Sequence, residues 1–183
     1  MFTQNRKGAR MAEQNETSTR LRESRQGATT MADRYLTFVL DEEKYGVDIL
    51  NVKEIIGMQK TTHIPKTPVY VKGVMNLRGQ IIPVVDLRLK LEMPETEVQM
   101  HTAIIIINIH ETNIGFIVDQ VDEVAAIGEE QLSEPPKFGS KIDTNFIRNM
   151  AKYRDDVVMI LDLERVFDAD EMSGLESIAK DTQ

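Results

Sequence analysis

Three polar side chains are grouped on one short turn of this sequence: Asn76, Arg78 and Gln80. Arg78 offers a planar guanidinium whose N–H groups suit a carboxylate, an amide or the last carbonyls of a helix. None of the three is a nucleophile or a general acid or base at neutral pH. The chemistry open to this group is therefore binding, although an arginine on a turn is also commonly a solvated surface residue.

Two apolar stretches must position this turn, residues 71–77 and 81–85. The Arg78-Gly79 link between them is short enough for a β-hairpin, in which Gly79 supplies the positive φ. Pro83 lacks an N–H and predicts an edge position or a bulge in the second strand. Gly73 predicts a bulge or a close backbone approach in the first strand.

Glu54 is a second candidate for binding. It lies in residues 52–56, Val-Lys-Glu-Ile-Ile, where β-branched residues surround two charges. This pattern is typical of a strand at an interface, and also of the outer face of an amphipathic strand. Asp119, Asp122 and Glu123 cluster as well, but their position after a strand indicates a solvated edge rather than a general acid–base pair.

Few other residues could support catalysis. His63, His101 and His110 lack the helical spacing of a metal site, so we expect solvated or packed histidines. The chain has no Cys, which excludes disulfides, thiolate metal sites and Cys nucleophiles. A phosphate-binding Gly-rich loop and a G-x-S-x-G turn are also missing from the sequence. We therefore predict a protein that is not an enzyme and uses neither metal nor cofactor.

The charge of the chain is asymmetric. The formal net charge is -8, yet residues 1–30 carry six Lys or Arg against three Asp or Glu. The acidic remainder repels phosphate backbones, which counts against a nucleic-acid partner. Residues 1–30 have too few apolar side chains to offset their ordering entropy and predict a disordered extension, with Met31 as an alternative start. No apolar run reaches the roughly 18 residues of a membrane span, so we expect no membrane insertion.

The rest of the sequence predicts about ten short strands and an internal repeat. Residues 45–55 align with 114–124 at an offset of 69, and residues 81–87 align with 157–163 at an offset of 76. Chance similarity between apolar strands is the alternative. The second copy has Arg154-Asp155-Asp156 where the first has Arg78-Gly79-Gln80, so only the first turn is expected to keep its binding chemistry.

Two copies of a five-strand unit predict a mainly all-β fold. Short strands in an open sheet would expose their edges, so we expect two small five-stranded SH3-like β-barrels packed together, with short helical turns. The first barrel would span roughly residues 35–91 and the second roughly 102–167, with an exchange of strands between them left open. Residues 171–183 would form an exposed C-terminal helix and tail. A groove between the barrels would suit a partner.

Residues 45–55 and 71–88 resemble the CheW-like domain of bacterial chemotaxis coupling proteins. The segments Asn76-Leu77-Arg78-Gly79 and Ile82-Pro83-Val84-Val85-Asp86-Leu87 are specific to that domain. Residues 114–119 match its second half. The resemblance runs from about residue 35 to 167, and we place the domain at residues 31–170.

The resemblance implies a cytoplasmic, non-catalytic adaptor in receptor arrays beneath the inner membrane. Its partners would be the cytoplasmic tips of methyl-accepting chemotaxis receptors and the regulatory domain of the histidine kinase CheA. By motif position, Arg78 and Asn76 are expected to bind the receptor. Val52, Glu54 and Gly73 are expected to bind the kinase or the receptor, with the division between the two left open.

Two other functions fit the same sequence. One is a CheW-like regulatory interaction module in a different signalling complex. The other is a double barrel that binds a small molecule, or acts on one, in the groove between its halves.

Overall fold

Short antiparallel hairpins dominate the computed structural model, which describes residues 33–136 and 144–181. The extension predicted for residues 1–30 lies outside these ranges. The strands are β1 (Arg34–Leu40), β2 (Glu43–Asp48), β3 (Val52–Gly57), β4 (Val71–Leu77), β5 (Gln80–Asp86), β6 (Ala103–Ile109), β7 (Thr112–Val118), β8 (Gln120–Ala126), β9 (Leu132–Ser133), β10 (Ile147–Tyr153) and β11 (Asp156–Leu161). The helices are α1 (Leu87–Lys90) and α2 (Ala169–Asp181). Asp86 caps α1 as its position predicts, since its Oδ1 accepts the Leu89 N–H at 3.1 Å.

The strands form two sheets whose membership alternates along the chain. The six-stranded sheet has the order β8-β1-β2-β11-β10-β9, and the five-stranded sheet has the order β3-β6-β7-β5-β4. Each sheet contains one parallel pair, β11 beside β2 and β5 beside β7. All other pairings are antiparallel.

The internal repeat appears as a reciprocal exchange of strands. In the repeat alignment, β8, β1, β2, β11 and β10 correspond in turn to β3, β6, β7, β5 and β4, so both sheets have the same order. The last strand of each copy pairs with the other copy: Val84 lies opposite Gly115, and Ile160 lies opposite Gly46. The sheets therefore do not coincide with the contiguous ranges 35–91 and 102–167.

Neither sheet closes into the barrel that the sequence predicts. In the five-stranded sheet the edge strands β3 and β4 do not pair with each other. The chain after β3 instead crosses to β4 and makes a single bridge, with Thr62 and Val74 exchanging hydrogen bonds of 2.7 and 2.9 Å. The two-residue strand β9 makes the corresponding contact with β10. Each half is thus an SH3-like open sheet whose edges are bridged locally.

A shared core joins the two sheets, and each sheet also has an inner core. Residues that alternate along β6 serve both: Ile105 and Ile107 enter the shared core, whereas Ile104 and Ile106 enter the inner core of the five-stranded sheet. This is why β6 is apolar along nearly its whole length. In the six-stranded sheet, Tyr35 faces the inner core while its neighbour Leu36 faces the shared one.

The strand position of Pro83 differs from the prediction. It lies in β5, between β7 and β4, rather than at an edge. Its partner Val74 donates its N–H to Thr62, away from β5, and pairing of β5 with β7 begins only at Val84. Pro83 therefore lies at a position where the strand pairing does not require an N–H. The register shift of this hairpin lies on β4, between Val71 and Gly73.

The C-terminal helix is not the exposed element that the sequence predicts. Met172 and Leu175 are buried in the shared core. Glu171 accepts hydrogen bonds of 2.6 Å from both the Tyr70 hydroxyl and Lys90 Nζ. The helix thereby connects the end of the second repeat to the residues that flank β4 and β5 of the first.

Candidate docking surface

The turn between β4 and β5 is a two-residue hairpin with a fixed backbone. Leu77 pairs with Gln80, and both Arg78 and Gly79 have positive φ, 54° and 86°. Asn76 Oδ1 accepts the Gly79 N–H at 2.7 Å. Asn76 therefore stabilises the turn. The receptor contact predicted for Asn76 would be made in addition to this hydrogen bond.

Arg78 and Glu54, predicted separately, form one ion pair. Arg78 Nη1 lies 2.7 Å from Glu54 Oε2, and Nη2 lies 2.6 Å from Oε1. The hydrogen bond with Glu54 raises the pKa of Arg78 above its ordinary value. The Arg78 side chain is 75% exposed and that of Glu54 is 28% exposed. Because this bidentate ion pair is exposed to solvent, each of its two side chains can leave the other and bind an oppositely charged group of a docking protein.

The pair spans the opening of the five-stranded sheet. Glu54 belongs to the edge strand β3, and Arg78 follows β4, the strand at the other edge. Ile55, next to Glu54, is 42% exposed, which is high for a large apolar side chain on a strand. Because successive side chains of a strand point to opposite faces, the charge of Glu54 and the apolar area of Ile55 lie on the two faces of one sheet edge.

Val52 and Gly73 lie deeper than the other predicted residues. Val52 is half-buried and packs against the shared core. Gly73 is buried, with φ of +124°, and a Cβ built on it would lie 2.1 Å from the Thr62 carbonyl oxygen. The close backbone approach expected at Gly73 is thus present. In this structure Gly73 shapes the rim by allowing β4 and the Thr62 bridge to touch.

A row of amides leads from this rim toward the second sheet. Asn113 donates to Gln80 Oε1 at 3.3 Å and accepts from Asn108 at 2.9 Å. Asn108 in turn lines a pocket of about 210 Å³ together with Arg148 of β10 and residues 161–164 that end and follow β11. This pocket lies between the two sheets, and a groove there that accommodates a partner stays a prediction.

The second hairpin tip also keeps an arginine–glutamate pair, contrary to the expectation from its sequence. Arg154 Nη1 lies 2.7 Å from Glu123 Oε1, and Nη2 lies 3.1 Å from Oε2. These residues correspond in the repeat to Arg78 and Glu54. The flank differs, because Lys44 there binds Asp122 and Asp156 at 3.1 and 2.9 Å where the first tip has amides.

Sequence reasoning missed a charge network around the buried Arg88. This arginine is 7% exposed, and its Nη1 lies 2.6 Å from Asp119 Oδ2. Asp119 is therefore half-buried and paired with a buried arginine, and is not the solvated edge that was expected. The sequence carried little signal of this network, because Arg88 is one of three charged residues, with Asp86 and Lys90, in the mainly apolar residues 81–91.

A cavity of about 630 Å³ lies at the other end of the five-stranded sheet. The cations on its wall are already paired, Lys72 with Glu95 and Arg88 with Asp119. Within residues 33–136 and 144–181, no group of three His, Asp or Glu could hold a metal ion. In the same part of the chain no helix is long and apolar enough to span a membrane.

Comparison of the sequence with models of protein families shows to which family this chain belongs. The model of the CheW-like domain matches residues 34–171. The chain belongs to the CheW-like domain family. The match covers every strand and α1, and it ends within α2.

Named relatives and a solved structure agree with this assignment. A chemotaxis protein CheW from Klebsiella aerogenes is 32% identical over 157 residues, covering 86% of this chain and 95% of the relative. A chemotaxis protein CheW from Bacillus subtilis is 33% identical, covering 74% and 87%. The crystal structure of the scaffolding protein TtCheW from Thermoanaerobacter tengcongensis has 37% identity and a TM-score of 0.69, covering 76% of this chain and 95% of that one. The CheW-like fold of two SH3-like sheets is therefore shared, and the family is one of non-catalytic chemotaxis adaptors.

Proposed function

We propose that this chain is a cytoplasmic, non-catalytic adaptor that couples methyl-accepting chemotaxis receptors to the histidine kinase CheA. Membership of the CheW-like family supports the chemotaxis role. The observation that supports a docking role most directly is the exposed ion pair of Arg78 with Glu54 at a rigid hairpin tip. A charged fork held on an unreactive tip suits recognition rather than chemistry.

Arg78 is the residue that we propose contacts the receptor. The receptor tip would offer carboxylates or helix-terminal carbonyls, which replace Glu54 as acceptors of the guanidinium. Asn76 keeps the turn in place for this contact, through its hydrogen bond to Gly79. Val52, Glu54 and Gly73 remain assigned to the kinase or the receptor without a division between the two.

The amide row provides a path for a helical receptor tip. Gln80, Asn113 and Asn108 extend from the hairpin tip to the pocket between the sheets. A helical hairpin lying along this path would contact both sheets while Arg78 sets its orientation. The CheA regulatory domain would use an edge of the sheets, such as the exposed Ile55 on β3.

Coupling requires no reaction in this chain. An adaptor that binds two partners transmits a signal when its affinity for one depends on the state of the other. Such a protein acts where the receptor tips and the kinase meet, in arrays at the cytoplasmic side of the membrane.

Reconstitution tests this function. CheA is mixed with receptor-containing membranes, with and without this protein, and its autophosphorylation rate is measured with and without attractant. We expect attractant to control the rate only when the protein is present. The same receptor control without the protein, or none with it, would contradict the proposal.

A further inference from the structure

Arg88 is the one buried arginine among the described residues, and it binds three separate segments. Its Nε donates to the Pro94 carbonyl at 2.9 Å. Its Nη1 and Nη2 reach Asp119 at 2.6 Å and Asp41 at 3.1 Å. Asp119 Oδ2 also accepts the Asp41 N–H at 2.9 Å, so the two carboxylate segments are linked to each other as well.

These segments belong to different sheets. Arg88 lies in α1, directly after β5 of the five-stranded sheet. Asp41 lies in the turn between β1 and β2 of the six-stranded sheet. Asp119 is the single residue between β7 and β8, where the chain passes from one sheet to the other. The network therefore connects the two sheets at a point where few backbone hydrogen bonds can connect them.

The equivalent junction in the repeat is much weaker. The repeat offsets place Glu164 at the position of Arg88 and His110 at that of Asp41. Their closest atoms, His110 Nε2 and Glu164 Oε2, are 3.7 Å apart, and the two side chains are 60% and 53% exposed. An exposed pair at this distance contributes little. Asp41 is as exposed as these two side chains, at 63%, so the stronger junction depends on the buried Arg88 and on its 2.6 Å contact with the half-buried Asp119.

Buried charge networks are poor sources of stability, because desolvation offsets much of the attraction. Their better attested use is to select one arrangement among several similar ones. A shared apolar core alone tolerates small shifts of one sheet over the other. The three hydrogen-bonded contacts of Arg88 are directional, so such a shift would weaken them.

We propose that Arg88 is a positioning residue that fixes the relative orientation of the two sheets, and that this orientation is what lets receptor and kinase be coupled. The inference rests on the proposed adaptor function. It assigns Arg88 no contact with either partner. Its substitution should spare each binding surface and weaken the communication between them.

The main variant is Arg88→Met, with Arg88→Lys as a milder one that keeps the charge but loses the three-way fork. His110→Asn at the equivalent junction is the matched control, since Asn tolerates the positive φ of that position. Binding of a receptor cytoplasmic fragment and of the CheA regulatory domain is measured separately by calorimetry, and receptor control of CheA is measured in the reconstituted complex. For the Arg88 variants we expect affinities within about twofold of wild type and receptor control reduced about tenfold. His110→Asn should behave as wild type.

A second measurement reports the orientation itself, and applies if Arg88→Met does not fold. The chain has no Cys, so Lys53→Cys on β3 and Val124→Cys on β8 give two unique sites for spin labels, one on each sheet. We expect a broader or shifted distance distribution with Arg88→Lys and an unchanged one with His110→Asn. Unchanged distances, or full receptor control in a folded Arg88 variant, would overturn the inference. Failure of the wild-type protein to bind either partner would instead reject the adaptor function.

Discussion

Arg78 and Glu54 face each other across the open side of one sheet, joined by two hydrogen bonds of 2.7 and 2.6 Å. The same arrangement recurs between Arg154 and Glu123 in the other sheet. The pair therefore belongs to the architecture of each half. A partner that binds the first tip must therefore use an ion pair that is also part of the fold. The exposure of Arg78 leaves this pair accessible to a partner.

Exchanging the two charges separates these roles. In the double variant Arg78→Glu/Glu54→Arg the pair can re-form across the sheet, so we expect a melting temperature close to that of wild type. The guanidinium then projects from β3 instead of the tip, so affinity for a receptor fragment should fall at least about tenfold. Calorimetry with the fragment checks this. Wild-type affinity in the exchanged variant would mean that only the pair matters, and not the position of its arginine.

Gly73 should be intolerant of any side chain. In Gly73→Ala the Cβ would meet the Thr62 carbonyl oxygen and the residue would keep a positive φ. We expect a loss of about 3 kcal/mol in the free energy of unfolding, from the strained φ and the displaced bridge. Urea unfolding measures it. Gly57→Ala is the control, since nothing lies within 4 Å of its added Cβ, and it should change stability by about 0.5 kcal/mol or less.

The helix α2 should contribute to the core and not only cover it. Leu175 is 2% exposed, so Leu175→Ala should lower the free energy of unfolding by about 2–4 kcal/mol. The exposed Ser173→Ala on the same helix serves as control and should change it little. Equal effects of the two variants would show that the helix is not packed as described.

Glu171 should make stability dependent on pH in the acidic range. Burial alone would raise the pKa of Glu171, but hydrogen bonds from Lys90 and Tyr70 outweigh it and hold the pKa below its ordinary value. Its folded pKa is thus lower than its unfolded one, so its contribution is complete above the unfolded value of about 4.3 and is lost as pH falls through the folded value.

The variant Glu171→Gln measures this contribution. It should be less stable than wild type at pH 7, and the difference should shrink as pH falls from about 5 to 3. Unfolding curves at several pH values provide the comparison. Glu176→Gln on the same helix is the control, since its only ion-pair partner among the described residues is Lys180 at 3.9 Å. A difference for Glu171→Gln that stays constant with pH would contradict the assignment.

Much of the local structure was readable from residue types. The Arg78-Gly79 hairpin, the Asp86 cap and the close approach at Gly73 depend on neighbours in the sequence or on backbone limits, and each is present. The repeat also predicted two copies of one five-strand unit, and the two sheets do share one order of five strands. It could not predict that β5 and β11 would exchange sheets, because apolar strands of similar length satisfy either partner.

The site was only partly predictable for the same reason. Arg78 and Glu54 are 24 residues apart, and only the curvature of the sheet brings β3 near the β4–β5 tip. The Arg154–Glu123 pair was hidden by acidic neighbours that made its turn look different. Arg88 was missed because burial of a charge depends on partners from distant segments, here Asp41 and Asp119.

The most direct test of the account is the affinity of Arg78→Asn for a chemoreceptor cytoplasmic fragment, measured by calorimetry. Asn tolerates the positive φ of this position, so the turn should persist while the guanidinium is lost. Arg154→Asn, which removes the equivalent arginine of the second sheet, is the matched control. We predict that Arg78→Asn weakens binding at least about tenfold at an unchanged melting temperature, whereas Arg154→Asn binds as wild type. Binding of Arg78→Asn within about twofold of wild type would contradict the account.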